Sequence, residues 1–169
     1  MIGRAPGTPY PRLPLPGEGH EDDLGEFHDW LGEAIPMVAA LGIRSMQRDG
    51  EALVWHLDLT PSLNDKGTGF GGALAAQTTL LGWCWTSLWL RRHGLDRDVV
   101  VAEATQRFVA PVTGDYRLRC LPATEDATAR LAEQLELRDR GRIALQQQLW
   151  CGDTLCLEAR GDYAVRPAG

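Results

Sequence analysis

The chain is poor in the features that mark metal, nucleic-acid or membrane chemistry. Its four cysteines, Cys84, Cys120, Cys151 and Cys156, include no C-x-x-C pair, and none stands beside a histidine at zinc-ligand spacing. No metal centre is expected, and the thiols read as reduced. Formal net charge is −6 and the pI is near 5.2. The chain as a whole therefore lacks the basic field that holds a phosphate backbone, and nucleic acid is not an expected partner. The N-terminus lacks the basic-then-apolar pattern of a secretory leader. The longest apolar run, "LLGWCWTSLWL" from Leu80 to Leu90, is interrupted and too short to span a bilayer. The expectation is a cytoplasmic protein without a membrane partner. No internal repeat is present.

What is there is a globular composition. With 169 residues, 44% hydrophobic and 24% charged, the chain is long enough to bury one sizeable core without disulfides or metals. Residues 1–20 read as a proline-rich tail, "APGTPYPRLPLPG" from Ala5 to Gly17 favouring an extended, polyproline-like course. Residues 21–169 read as the folded domain.

Along that domain "LGEFHDWLGEAIP" predicts an amphipathic helix, with Asp22 or Asp23 as cap and Pro36 as interrupter. "IRSMQR" and "EALVWHLDL" predict two strands joined at Asp49-Gly50 by a two-residue hairpin turn. From Phe70 to His93 there is no proline, and apolar residues recur at three and four. This predicts one long, buried helix of roughly 35 Å at about 1.5 Å per residue. Four further strands follow in "DVVVAEATQRFVAPV", "DYRLRCLP", "RIALQQQLWC" and "TLCLEARGDYAV", with a helix in "EDATARLAEQLEL". The predicted order is α-β-β-α-β-β-α-β-β.

The stretch "NDKGTGFGGALAAQTTLLGWCW" contains a formal G-x-G-x-x-G at Gly67, Gly69 and Gly72. A dinucleotide fingerprint needs those glycines at a strand end and an acid roughly 20 residues later. Here "TPSLNDK" intervenes and the first acid, Glu103, comes far too late. The Walker pattern fails for want of a lysine followed by Ser or Thr. What survives is that Gly71 and Gly72 begin the long helix and leave its first amides free of covering side chains. Such amides suit a developing negative oxygen, including that of a thioester under attack. The alternative is that the glycines only let the helix pack close to the sheet.

"NDKGTGFGGALAAQ" together with "QRFVAPVTGD" resembles the hot dog fold thioesterase superfamily, in particular the thioesterase domain of the YiiD C-terminal type, from about Leu24 to Arg166. The resemblance implies an α+β hot dog fold, an antiparallel six-stranded sheet wrapped around the long central helix. It also implies no cofactor, and a homodimer joined edge to edge through "VVVAEATQRF"; whether dimers pair into tetramers stays open. Similar proteins carry an asparagine before the loop, a histidine and two glycines at its end, and an acid along the helix. Asn64, Gly71 and Gly72 match. Phe70 stands at the histidine position and Thr79 at the acid position, which weakens a carboxylate-driven hydrolysis.

Asn64, Gly71, Gly72, Thr79 and Glu103 are the candidate catalytic residues, and Thr68, Phe70 and Arg107 the candidate substrate contacts. Asn64 either orients the thioester or water, or closes an Asx-turn. Thr79 either assists proton transfer or bonds a carbonyl one turn back. Glu103 interrupts an apolar strand and is either a base of raised proton affinity or an ion-pair partner of Arg107. Cys84, mid-helix, should be a poor nucleophile. Trp83, Trp85 and Trp89 cannot share one helical face, so they divide between core and acyl tunnel or subunit contact. The basic runs "LRRHGLDR" and "LRDRGR" either hold coenzyme A phosphates or an acidic carrier protein, or are solvated turns.

The leading expectation is hydrolysis of acyl-coenzyme A or acyl-acyl carrier protein. A malonyl-acyl carrier protein decarboxylase and a non-catalytic acyl-thioester binder are the alternatives, since both dispense with an activating base.

Overall fold

A computed structural model describes residues 3–169; Met1 and Ile2 of the expected tail lie outside the described residues. Its elements follow the predicted order: α1 (Leu24–Ala34), β1 (Ile43–Asp49), β2 (Ala52–Leu57), α2 (Gly71–Arg92), β3 (Arg97–Phe108), β4 (Tyr116–Pro122), α3 (Ala127–Arg138), β5 (Gly141–Cys151) and β6 (Thr154–Pro167). Two short 3₁₀ segments, Pro36–Ala40 and Thr60–Ser62, were not foreseen. The strands form one antiparallel sheet in the order β1-β2-β4-β5-β6-β3. Helix α2 packs against β3, β4, β5 and β6, so the sheet wraps around it. This is the hot dog arrangement that the resemblance implied. No helix among the described residues is long and apolar enough to cross a membrane.

Local chemistry explains the boundaries. Asp23 caps α1 by accepting the Glu26 amide at 2.9 Å, and the helix stops before Pro36. The hairpin turn is displaced by one residue from its predicted place. Asp49 still pairs with Ala52, so the two-residue loop is Gly50-Glu51, with Gly50 at φ 59°. A positive φ at the first central position alone is the sign pattern of a type II′ turn, which glycine enters without steric cost.

Helix α2 is sealed on most of its circumference by Leu74, Leu81, Cys84, Trp85, Leu88, Trp89 and Leu90, all buried. Full burial of each leucine contributes about 1.5–3 kcal/mol. A stripe remains uncovered, however: Ala75, Ala76, Thr79, Leu80 and Trp83 are only half-buried. Burial all round, as the sequence predicts, is therefore incomplete within one chain.

The helix approaches the sheet closely through Tyr163 of β6. Its hydroxyl donates to the Thr79 carbonyl at 2.7 Å and accepts from Gln147 Nε2 at 3.2 Å, and burial pushes the phenol above its ordinary pKa. Two glycines make the slot. A Cβ at Gly82 would stand 2.1 Å from Tyr163 Oη, and one at Gly161 would stand 2.6 Å from Cε2.

The proline-rich segment forms no helix or strand and is docked rather than free. Trp30 Nε1 donates to the Pro11 carbonyl at 2.9 Å, and Arg91 donates to the Leu13 carbonyl at 2.8 Å while forming a bidentate pair with buried Asp22. Arg12 bridges to Asp96 and Asp98 at the start of β3.

Gly82→Ala is expected to destabilise the protein by about 3 kcal/mol, because the new methyl overlaps a locked phenol. Gly32→Ala, in α1 with nothing within 4 Å of the new carbon, is expected to stabilise by about 0.5–1 kcal/mol through helix propensity. Urea unfolding of both variants beside the parent measures the contrast.

Candidate functional site

The loop before α2 is built to present the helix start. Asn64 donates from Nδ2 to Thr68 Oγ1 at 2.9 Å and to the Gly69 carbonyl at 3.3 Å. Its Oδ1 accepts the Lys66 amide at 2.9 Å and the Thr68 amide at 3.0 Å. Gly67 takes φ 76°, the left-handed region that lets so short a loop close. The Asx-turn reading of Asn64 is therefore the one realised: both ends of its amide are engaged inside the loop. Thr68 is held in the same ring of bonds.

The loop is tied down from below by Gln77, which has no exposed surface. Its Nε2 donates to the Leu41 carbonyl at 3.0 Å and to Ser62 Oγ at 3.2 Å, and Tyr116 donates to its Oε1 at 2.6 Å. Ser62 in turn accepts the Phe70 amide at 2.7 Å, and Val112 accepts the Gly69 amide at 2.9 Å. The chain thus enters α2 along a fixed line.

At that entry the Phe70 N-cap offers no side-chain acceptor, and the Leu74 amide is the first to bond within the helix, to the Phe70 carbonyl. Among the described residues the amides of Gly71, Gly72 and Ala73 have no partner. Two half-exposed aromatics flank them. A Cβ at Gly72 would lie 2.6 Å from Phe70 Cζ, and one at Gly71 would lie 3.5 Å from Phe108 Cε1. Bare donors at the positive end of the helix dipole, bordered by apolar rings, form a surface suited to a polarised oxygen on an otherwise apolar group.

Beyond the helix start, the uncovered stripe of α2 forms an open apolar groove of about 510 Å³ with β3. Ala75, Ala76, Thr79, Leu80 and Trp83 line one wall, Val101, Ala104 and Gln106 the other, with Ile35 at the side. Its polar contribution is one pair: Gln106 Nε2 donates to Thr79 Oγ1 at 3.4 Å. The back-bond considered for Thr79 is made instead by its neighbour, Thr78 Oγ1 to the Ala75 carbonyl at 3.1 Å. Trp83 is the tryptophan that reaches the cavity, whereas Trp85 and Trp89 are buried.

Glu103 and Arg107 are not part of this cavity. The register of β3 shifts between Val101 and Glu103. This bulge leaves Ala102 outside the pairing, so Val101, Ala104 and Gln106 face α2 while Glu103, Thr105 and Arg107 face the opposite side of the sheet. Glu103 is exposed there, next to Asp162 across the ladder. Arg107 bridges to Glu158 at 3.1 Å, which replaces the Glu103 pairing considered from the sequence. The bulge is the physical reason: alternation counted from Val99 would send Glu103 inward, and one extra residue sends it outward.

Gln106 and Phe108 border the candidate site and are not singled out by the sequence. The signal available was alternation from Arg107, which places both neighbours on the other face. Cys84 and Cys120 are fully enclosed, and burial pushes both thiols well above their ordinary range, as expected for an inert Cys84. The arginines of the first basic run are spent on ion pairs, Arg91 with Asp22, Arg92 with Glu21 and Arg97 with Asp139, whereas among the described residues Arg138, Arg140 and Arg142 of the second make none.

Comparison with known proteins gives a family match and several structural neighbours. The family model described as "Putative thioesterase (yiiD_Cterm)" matches residues 24–167. A solved structure of a "putative thioesterase" from Shewanella oneidensis is 27% identical, covers 85% of this chain and 97% of its own, with a TM-score of 0.76. A protein of unknown function from Chlorobaculum tepidum is 23% identical over 85% of this chain and 94% of its own, with a TM-score of 0.77. A thioesterase from Haemophilus influenzae is 16% identical over 88% and 94%, with a TM-score of 0.70. The last two are likenesses of fold alone.

Gln77→Leu is expected to destabilise the protein by about 3 kcal/mol, because it leaves the Leu41 carbonyl, Ser62 Oγ and the Tyr116 hydroxyl buried without partners. Hydrogen exchange should show faster exchange at the Gly69 and Phe70 amides than in the parent. Tyr116→Phe, which removes one donor only, is expected to cost about 1 kcal/mol.

Proposed function

Because the chain belongs to the thioesterase family of the YiiD C-terminal type, we propose that it hydrolyses acyl thioesters of coenzyme A or acyl carrier protein. The observation that carries this reading is the set of unpartnered amides at Gly71, Gly72 and Ala73 beside an apolar cavity whose polar lining is Thr79 and Gln106. The acyl chain lies in the cavity. The thioester oxygen takes the helix-start amides, whose attraction grows as negative charge develops in the tetrahedral state. A water held between Thr79 Oγ1 and the Gln106 amide attacks the carbonyl; as the tetrahedral state collapses the C–S bond breaks, and the Thr79 hydroxyl passes the water's proton to the departing thiolate sulfur.

Distance argues that two subunits share each site. Gly72 and Thr79 are separated along α2 by about 10 Å, at about 1.5 Å per residue. One carbonyl carbon cannot lie within reach of both. In an antiparallel pairing of β3 with the same strand of a second subunit, the helix start of one chain faces the Thr79 and Gln106 of the other. The form of the sheet favours that pairing. β3 is an edge strand of twelve residues with Val101, Ala102, Glu103, Ala104 and Thr105 exposed. It has no proline to protect it, so it is a template for another strand. The other edge, β1, has seven residues against the twelve of β3.

One observation favours a second reading. Among the described residues, no carboxylate lines the cavity, and decarboxylation of a malonyl thioester needs an oxyanion site but no activated water. Malonyl-carrier protein incubated with the enzyme and weighed by mass spectrometry separates the two: free carrier thiol is the expected product, and acetyl-carrier would move the assignment to decarboxylation.

Thiol release from acyl-coenzyme A substrates is expected in the parent. Thr79→Val and Gln106→Leu are each expected to lower kcat about 10²-fold, the range of a lost proton-transfer partner. Light scattering should give the mass of at least two subunits. No thiol release from any chain length, on either carrier, would overturn the hydrolase reading and leave an acyl-thioester binder.

A further inference from the structure

We propose that Trp83, clamped by Trp30 and the proline-rich arm, is the end wall of the apolar cavity and sets the longest acyl chain the protein accepts. This rests on the cavity being the acyl site.

Two hollows meet at Trp83. The first is the cavity between α2 and β3. The second, of about 160 Å³, lies further along α2 and is lined by apolar Leu13, Phe27, Trp30, Leu90 and Leu95 and by six charged side chains, Arg12, Arg91 and Asp98 among them. Trp83 is the one residue common to both linings. Its indole therefore divides what would otherwise be one continuous channel.

The partition is held from two directions. Trp83 Nε1 donates to the Val99 carbonyl of β3 at 2.8 Å. The ring stacks on Trp30, with centroids 6.4 Å apart and planes 13° from parallel. Trp30 is itself fixed, because its Nε1 donates to the Pro11 carbonyl at 2.9 Å. The arm that supplies this carbonyl is secured next to it by Arg12, paired with Asp96 and Asp98, and by Arg91, which donates to the Leu13 and Pro14 carbonyls. An aliphatic side chain at position 83 would yield to an incoming chain by rotamer change. An indole hydrogen-bonded at one end and stacked across its face does not. The arm lies outside the matched residues 24–167, whereas Trp30, Trp83 and Arg91 lie within them.

The wall stands one helical turn beyond Thr79, about 6 Å along α2. A chain that reaches it meets the indole. If the indole is removed, the chain enters the second hollow.

The test uses saturated fatty acids from two to eighteen carbons, with binding followed by calorimetry, and the matching coenzyme A thioesters, with thiol release. In the full-length parent, binding should tighten roughly fourfold per methylene up to one chain length in the series and then level off or weaken. In Trp83→Ala the break should move at least two carbons longer. In Trp30→Ala, which keeps the indole at 83 but unclamps it, it should move the same way by less. Both variants are checked for cooperative unfolding, and Trp83→Leu serves if the alanine variant does not fold. A break that stays in place in folded Trp83 variants overturns the proposal, as does a parent without a break or without fatty-acid binding. Binding with a break but without thiol release keeps the wall and removes the hydrolase reading. Thiol release without a break does the reverse.

Discussion

Gln77 is the point on which the rest of the molecule turns. Its side-chain amide is buried among four segments that are far apart in sequence and fixes Leu41, Ser62 and Tyr116 with one group. A buried amide is costly unless both its ends are bonded, and when they are it tolerates few alternative geometries. The loop it anchors has one register, the chain enters α2 along one line, and the first amides of that helix point into open space. The glycines permit this arrangement, but the glutamine under them enforces it.

A second constraint is asymmetry between the sheet's two edges. β1 is short, with seven residues. β3 is long and exposed, and the stripe of α2 beside it is apolar yet uncovered. Both unfinished surfaces lie on one side of the molecule, so a single contact would complete them together. The bulge at Ala102 sorts the side chains of this strand. It turns valine, alanine and glutamine towards the helix and sends Glu103 and Arg107 to the polar back of the sheet.

Much of this was legible in the sequence. The limits of α2 followed from the absence of proline between Phe70 and His93, and those of α1 from Asp23 and Pro36, because caps and breakers act within one turn. The strands followed from alternation. Three things were not legible. The hairpin turn slid by one residue, since Asp-Gly and Gly-Glu differ only in where the positive φ falls. The bulge in β3 carries no local signature, as Ala102 is unremarkable in composition, and this one residue moved Glu103 off the site. The docking of the arm depends on Arg91, Trp30 and Asp96, which are distant in sequence and meet it only once the domain exists. In the site itself, the glycine helix start was readable from the resemblance and from the bare glycines. Gln106 was hidden behind its charged neighbour, and Asn64 proved to be committed to its own loop.

The pairing of β3 with β6 has a consequence for how the chain is made. In the sheet β3 has a single neighbour, and that neighbour is the most C-terminal strand, with Arg97 opposite Pro167. During translation β3 emerges well before β6 and waits with both flanks bare while roughly sixty residues are added, a delay of several seconds at about 5–20 residues per second. Closing so distant a ladder is entropically slow as well. For that interval the nascent chain carries a valine-rich strand with two open sides, and a transcript cut short before β6 would release it permanently in that state.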